Sequence, residues 1–259
     1  MKTVLTVAGS DCSGGAGIQA DMKTITVHGM YAMSVITALT AQNTTGIKSV
    51  YEVTPQFVDD QLTMIFTDIF PDAVKIGMVC NKAIIGVLAD KLEEFKPDRI
   101  VLDPVMLSTS GRRLLEEDAV HLLLQRLMPY TAVITPNIPE AEYISGISIR
   151  SRADMVKAAQ KIAQMYSGAI LIKGGHLADS SDDLLYNKEE CFWFEQENID
   201  NPNTHGTGCT LSSAIACNLA AGKDIRSSIA SAKEYITGAL RACLKLGNGN
   251  GPLNYCWKK

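Results

Sequence analysis

Short apolar runs and amphipathic helical stretches alternate along almost the whole chain, and this alternation restricts it to a layered α/β fold. Strands are predicted at residues 3–8, 31–39, 73–76, 99–102, 132–134 and 169–172. Helices are predicted at 18–28, 55–66, 83–95, 116–127, 139–144, 152–166 and 211–220, with a last one at 225–244. Residues 183–186 and 191–194 read as a hairpin closed by a four-residue turn at 187–190. Several strands are continuously apolar, as in a mostly parallel sheet covered by helices on both faces. No linker, repeat or shift in composition divides residues 1–259, so a single domain is expected. The Gly, Asn and Pro-rich tail from 247 onward is expected to be loose.

Such a sheet binds ligands beyond the carboxyl ends of its strands. The loops there are 9–17, 42–45, 77–78, 103–104, 137–140, 173–176 and 203–210, and they are expected to converge on one crevice. The last is the most informative. Asn203-Thr204-His205-Gly206-Thr207-Gly208-Cys209-Thr210 is a Gly-rich turn that opens into a helix of small apolar residues. A helix start presents bare amides and partial positive charge to an anion. A thiol at that mouth, Cys209, is expected to have a lowered pKa. The alternative is that Gly206 and Gly208 only shape the turn and Cys209 is a small buried hydrophobe.

The other loops carry the same ambiguity. Asp103 is either the cap of an Asp-Pro turn or a carboxylate for Mg²⁺. In Asn137-Ile138-Pro139-Glu140, Asn137 reads as a helix cap and Glu140 as a first-turn acid, but Glu140 is also a second carboxylate at the sheet's carboxyl end. Lys173 precedes Gly174-Gly175 and is either solvated or a phosphate ligand. His176 and His205 read as loop donors rather than bases. Neither a GxGxxG fingerprint after the first strand nor a GxxxxGK[ST] loop occurs, because Gly222-Lys223 is followed by Asp224.

Composition excludes several classes. The net charge of −4 and the interspersed charges leave no basic stripe for nucleic acid. No apolar run is long enough to span a membrane. The amino terminus runs straight into a strand and lacks a signal-peptide pattern. The cysteine count of seven is odd and contains no CxxC pair, which points to free thiols in the cytoplasm rather than disulfides or zinc. Anion site, carboxylates and lysine together are the parts of a phosphoryl transferase.

Seven stretches in order carry a resemblance. They are Val7–Asp11 with Ser13–Asp21, Thr37–Thr44, Lys75–Met78, Leu102–Met106, Thr135–Ala141, Ile172–His176 and Asn203–Thr210. On these the chain resembles the ribokinase-like superfamily, and within it the hydroxymethylpyrimidine/phosphomethylpyrimidine kinases of thiamine biosynthesis. The resemblance implies a three-layer α/β/α sandwich, ATP with Mg²⁺, a cytoplasmic homodimer, and two successive phosphorylations of 4-amino-5-hydroxymethyl-2-methylpyrimidine. It further implies that Gln42 hydrogen-bonds the aminopyrimidine edge and that Gly9, Ala16, Asp21, Met78 and Val105 line its pocket. Asn137, Lys173 and Thr207 would serve ATP, and Asp103 and Glu140 the metal. Gly206, Thr207, Gly208 and Cys209 would form the anion hole, with Cys209 standing where related sugar kinases carry an aspartate base.

Two rivals follow. A vitamin B6 kinase of the same fold is one, and Gln42 favours the aminopyrimidine over it. The other, a non-catalytic ligand-binding domain, would make seven ordered stretches incidental. At 259 residues no second enzyme is expected in the chain. A mobile flap is expected at 110–113.

Overall fold

The computed structural model describes residues 1–106, 115–175, 182–195, 199, 201 and 203–258. Nine strands form one sheet in the order β3-β2-β1-β4-β5-β6-β7-β8-β9. The parallel centre comprises β1 (Thr3–Asp11), β2 (Tyr31–Asn43), β4 (Ala73–Ile76), β5 (Ile100–Leu102), β6 (Val133–Ile134) and β7 (Ala169–Ile172). Antiparallel strands close both ends, β3 (Gly46–Glu52) on one side and β8 (Asp183–Asn187) with β9 (Glu190–Phe194) on the other.

Side chains of alternate strand residues feed two separate cores. On one face Leu5, Val7, Val74 and Ile76 pack under α2 (Pro55–Asp68), α3 (Lys82–Phe95), α4 (Glu117–Arg126), α5 (Ile138–Ser145) and α6 (Arg152–Ala163). On the other, Val4, Ala73 and Val101 pack under α1 (Gly17–Val27), α7 (Thr207–Ala220) and α8 (Ile225–Arg241). This is the expected three-layer sandwich. No helix among the described residues is long and apolar enough to cross a membrane.

The chain leaves β1 in one direction to build β2 and β3, then returns to the other side of β1 to build β4 onward. Loops following β1 and β4 therefore diverge and open a crevice between them, the usual ligand position in such sheets.

Three expectations need correction. Strand β3 was not expected, because its half-exposed and exposed residues show no clean apolar alternation. The hairpin turn is two residues long, not four: Lys188 and Glu189 both have positive φ, 49° and 66°, as a two-residue hairpin with right-handed strand twist requires. The tail is not loose. Leu253 and Tyr255 are buried in the α7–α8 core, and the Tyr255 hydroxyl donates to the Gly15 carbonyl at 2.8 Å. The expected flap at 110–113 lies outside the described residues.

Candidate active site

A cavity of about 970 Å³ lies at the carboxyl ends of β1, β2, β4, β5 and β7, and its wall at one end is the 204–209 turn. Gly206 adopts φ 80° there, and a Cβ at this position would stand 1.9 Å from the Gly15 carbonyl oxygen. Only glycine satisfies both demands. Helix α7 begins directly afterwards, and no side chain caps it. Its residues from Thr210 to Ala220 are all buried. The run of alanines and serines lets it lie close against the sheet, which fixes its first turn over the cavity. The amides of Gly208 and Cys209 belong to that turn, where no intrahelical carbonyl reaches them.

Three neighbouring parallel strands deliver the charged groups to the same wall. Asp103 follows β5, Asn137 follows β6 and Lys173 follows β7. Lys173 Nζ donates to Asp103 Oδ1 at 2.8 Å, and Thr135 Oγ1 donates to the same oxygen at 3.1 Å. The other oxygen, Oδ2, lies 3.3 Å from where a Cβ on Gly208 would stand, and Lys173 Nζ lies 3.5 Å from it. A Cβ at 208 would press on Asp103 Oδ2 and meet Lys173 Nζ at ordinary contact distance, so glycine leaves this turn room beside the two charges. Asn137 caps α5 in a capping box: its side chain accepts from the Glu140 amide at 2.9 Å, and Glu140 accepts from the Asn137 amide at 2.8 Å.

Burial pushes the Glu140 carboxyl up to about 7, with Lys173 opposing and Asp103 adding to the rise. For Lys173, burial lowers the ammonium but Asp103 and Glu140 outweigh it, so it titrates above the usual lysine range. Two adjacent carboxylates, one of them reluctant to ionise, suit a divalent cation. No cluster of three or more His, Cys, Asp or Glu side chains able to hold a metal occurs among the described residues. That donor set fits Mg²⁺, which takes one or two carboxylates and completes its shell with water and phosphate oxygens.

Gly9, Ala16, Gln42, Met78 and Val105 line the same cavity. A β-bulge between β2 and β3 falls at Ala41 and Gln42, where the register shifts from Ser49 to Ile47. Such a bulge re-aims a side chain beside a site. Asp21 is a correction. It is fully buried beneath the floor and bound to Lys75 Nζ at 2.8 Å, Thr6 Oγ1 at 2.6 Å and Ser213 Oγ at 2.7 Å, so it does not line the cavity.

Cys209 requires a second correction. Burial raises its thiol above the usual range. The Lys75 charge and a hydrogen bond from the Gly17 amide pull it down without prevailing. Burial outweighs the helix-start effect expected from position alone. Nothing in the local pattern marks Lys75 as a partner of Asp21, or Asp11 as a partner of His205. The structure makes two separate pairs, Lys75 with Asp21 across β4 and α1 and Asp11 with His205 across β1 and the turn before α7. His176 lies outside the described residues.

A family model described as phosphomethylpyrimidine kinase matches residues 11–254. The chain belongs to this family. It is 48% identical over 254 residues to a thiamine biosynthesis bifunctional protein of Geobacter sulfurreducens, covering 98% of this chain and 52% of that protein. The chain thus spans about half of that relative. It is 43% identical over 255 residues to a hydroxymethylpyrimidine/phosphomethylpyrimidine kinase of Rhizobium meliloti, covering 97% of this chain and 96% of the relative. Among solved structures, an ADP complex of Bacillus subtilis pyridoxal kinase superimposes with a TM-score of 0.91 at 36% identity, covering 98% of this chain and 97% of the other. The ribokinase-like kinase fold is thereby established.

Proposed function

We propose that this chain uses ATP to phosphorylate the hydroxymethyl group of 4-amino-5-hydroxymethyl-2-methylpyrimidine, and then phosphorylates the monophosphate to the diphosphate, within thiamine biosynthesis. One observation carries the reading: a single cavity is lined both by the Gln42 amide and by the Gly206–Cys209 turn with Asp103 and Lys173. An amide offers a donor and an acceptor side by side, which suits a ring nitrogen next to an exocyclic amine. Met78 supplies an adaptable apolar wall for the ring.

The γ-phosphate meets the amides of Gly208 and Cys209, which stabilise the charge that builds on its oxygens. Lys173 adds a fixed positive charge, and Asn137 and Thr207 hold the nucleotide. Asp103 and Glu140 would hold Mg²⁺, which supplies charge neutralisation to the phosphates when bound. Cys209 faces the substrate hydroxyl and, in its thiolate form, takes its proton as the new O–P bond forms. The β–γ bridging P–O bond breaks, ADP leaves, and the thiol returns its proton to solvent. The reading includes a homodimer, checked by light scattering, and a cytoplasmic location.

A pyridoxal kinase is the second reading, favoured by the solved neighbour. Measuring kcat/KM for ADP release on the aminopyrimidine, its monophosphate and pyridoxine separates the two. The expected order places both aminopyrimidines above pyridoxine. Equal or better turnover of pyridoxine overturns the first reading.

A further inference from the structure

In the lining of the cavity beside Gln42, Asp11 and His205 form a buried pair, and His205 touches Gln42. Asp11 is 3% exposed and His205 7%. His205 Nε2 lies 2.8 Å from Asp11 Oδ2 and 3.3 Å from the terminal amide of Gln42. Asp11 also accepts from the amides of Ser13, Gly15 and Ala16 and from the Ser13 hydroxyl. Burial works to raise its carboxyl, but these bonds and the one to His205 hold it well below the carboxylate range. Asp11 is therefore ionised and can only accept.

That fixes the proton on His205. Facing a carboxylate at 2.8 Å, Nε2 must carry the hydrogen, and it then cannot accept from Gln42. An amide N–H₂ turned toward it would set donor against donor. Placed with its oxygen toward Nε2 instead, the Gln42 carboxamide becomes a second acceptor for that N–H.

The rest of the network agrees. Thr40 Oγ1 lies 3.0 Å from the Ser10 carbonyl and 3.1 Å from the other end of the Gln42 amide. Its one hydrogen cannot serve two acceptors. If the Gln42 N–H₂ donates to Thr40, the Thr40 hydrogen is free for Ser10 and every group is satisfied. Amide orientation is decided by such networks, since nitrogen and oxygen are nearly alike in shape.

The geometry points to Asp11 and His205 as positioning residues that lock the Gln42 carboxamide in one orientation, and so select substrates that set a ring acceptor beside an exocyclic donor. This rests on the kinase reading above. The locked amide leaves an oxygen lone pair and one N–H, in fixed order, for the ligand edge. The exocyclic amine meets the oxygen and the ring nitrogen meets the N–H. The same His205 precedes Gly206, so one residue ties substrate orientation to the phosphate turn.

Two measurements test it. The first needs no substrate: ¹⁵N NMR of the histidine rings, with His205 assigned by difference, is expected to show a proton on Nε2. A neutral ring protonated only at Nδ1 overturns the proposal. The second is steady-state kinetics of His205→Leu, His205→Gln and Gln42→Leu. Losing the lock leaves a polar partner unpaired, so His205→Leu is expected to raise KM for the aminopyrimidine about tenfold or more. Its KM for ATP and its kcat are expected to stay within about threefold, as for an interaction made equally in ground and transition states. Glutamine restores a donor near the Nε2 position and is expected to recover most of the loss. In the Gln42→Leu background, His205→Leu is expected to change that KM by less than about twofold, since the two act as one unit. Equal losses in both backgrounds, with kcat falling and the KM for ATP rising together, mean a scaffold for the turn and overturn the proposal. A wild-type chain that releases no ADP with the aminopyrimidine overturns the functional reading instead, while the NMR result still judges the lock.

Discussion

Cys209 and Glu140 have both been moved by burial away from their ordinary ionisation, in opposite directions of usefulness. Burial holds the Cys209 thiol above the ordinary cysteine range. At neutral pH only a small fraction is thiolate, but what forms is a strong base. If Cys209 takes the substrate proton, kcat/KM should climb by about tenfold per pH unit from 7 toward 9, as the basic form accumulates. Cys209→Ser should lose most of kcat and all of that slope while keeping ATP affinity. A flat wild-type profile, or a serine variant with near-native kcat, would pass the proton to the phosphate instead.

Glu140 gives a prediction about stability in the absence of nucleotide. Its carboxyl is raised from 4.5 to about 7, mainly by burial. Between those values the folded state binds more proton than the unfolded state. Stability from this group is therefore full below about pH 4.5 and falls as pH rises through 7, by an amount on the order of 3 kcal/mol. Glu140→Gln keeps an acceptor for the Asn137 amide and removes the titration. Urea melts between pH 5 and 8 should show a decline in the wild type that the variant lacks. Parallel curves for the two proteins would refute the assignment.

Among the elements, those that alternate cleanly could be read from the chain. Strands β4 and β7 have the predicted limits, because each is a continuously apolar run between turn residues. Asn137 was legible as a cap for the same local reason. What could not be read depends on partners distant in sequence. Strand β3 is an exposed edge held by pairing to β2. The tail has loop composition, yet it docks through Tyr255 onto Gly15, and the Tyr235 hydroxyl holds the Tyr255 carbonyl at 2.8 Å. The backbone of His205 donates to Gly251 at 3.3 Å, so the tail also supports the 204–209 turn. Leu253 is 1% exposed. Leu253→Ala should cost about 2–5 kcal/mol, the usual loss for a core leucine. It should also raise KM for ATP by loosening the turn. An unchanged denaturation midpoint would mean that the tail rests on the core without contributing to it.

At the scale of the whole molecule, one buried ion pair joins the parts that make the crevice. Lys75 lies on β4 and Asp21 on α1. Thr6 on β1 and Ser213 on α7 donate to the same carboxylate. Both charged side chains are completely buried. Burial lowers the Lys75 ammonium, but attraction to Asp21 prevails and leaves it raised. Sequence pattern could not show this, because a lysine inside an apolar strand acquires its meaning only from a partner on another layer. Removing one charge strands the other, so Lys75→Met should cost about 3–5 kcal/mol. Adding Asp21→Asn should recover at least half of that loss, since asparagine keeps an acceptor oxygen for one of the two hydroxyls and can donate its N–H₂ to the oxygen of the other. The pair also reaches the chemistry. Lys75 lowers the Cys209 thiol and Asp21 raises it. Lys75→Met alone should therefore shift the alkaline limb of kcat/KM to higher pH, and the double variant should bring it back toward the wild-type position. A limb that shifts equally in the single and double variants would separate the stability of the pair from the ionisation of Cys209, and leave the ion pair a structural staple alone.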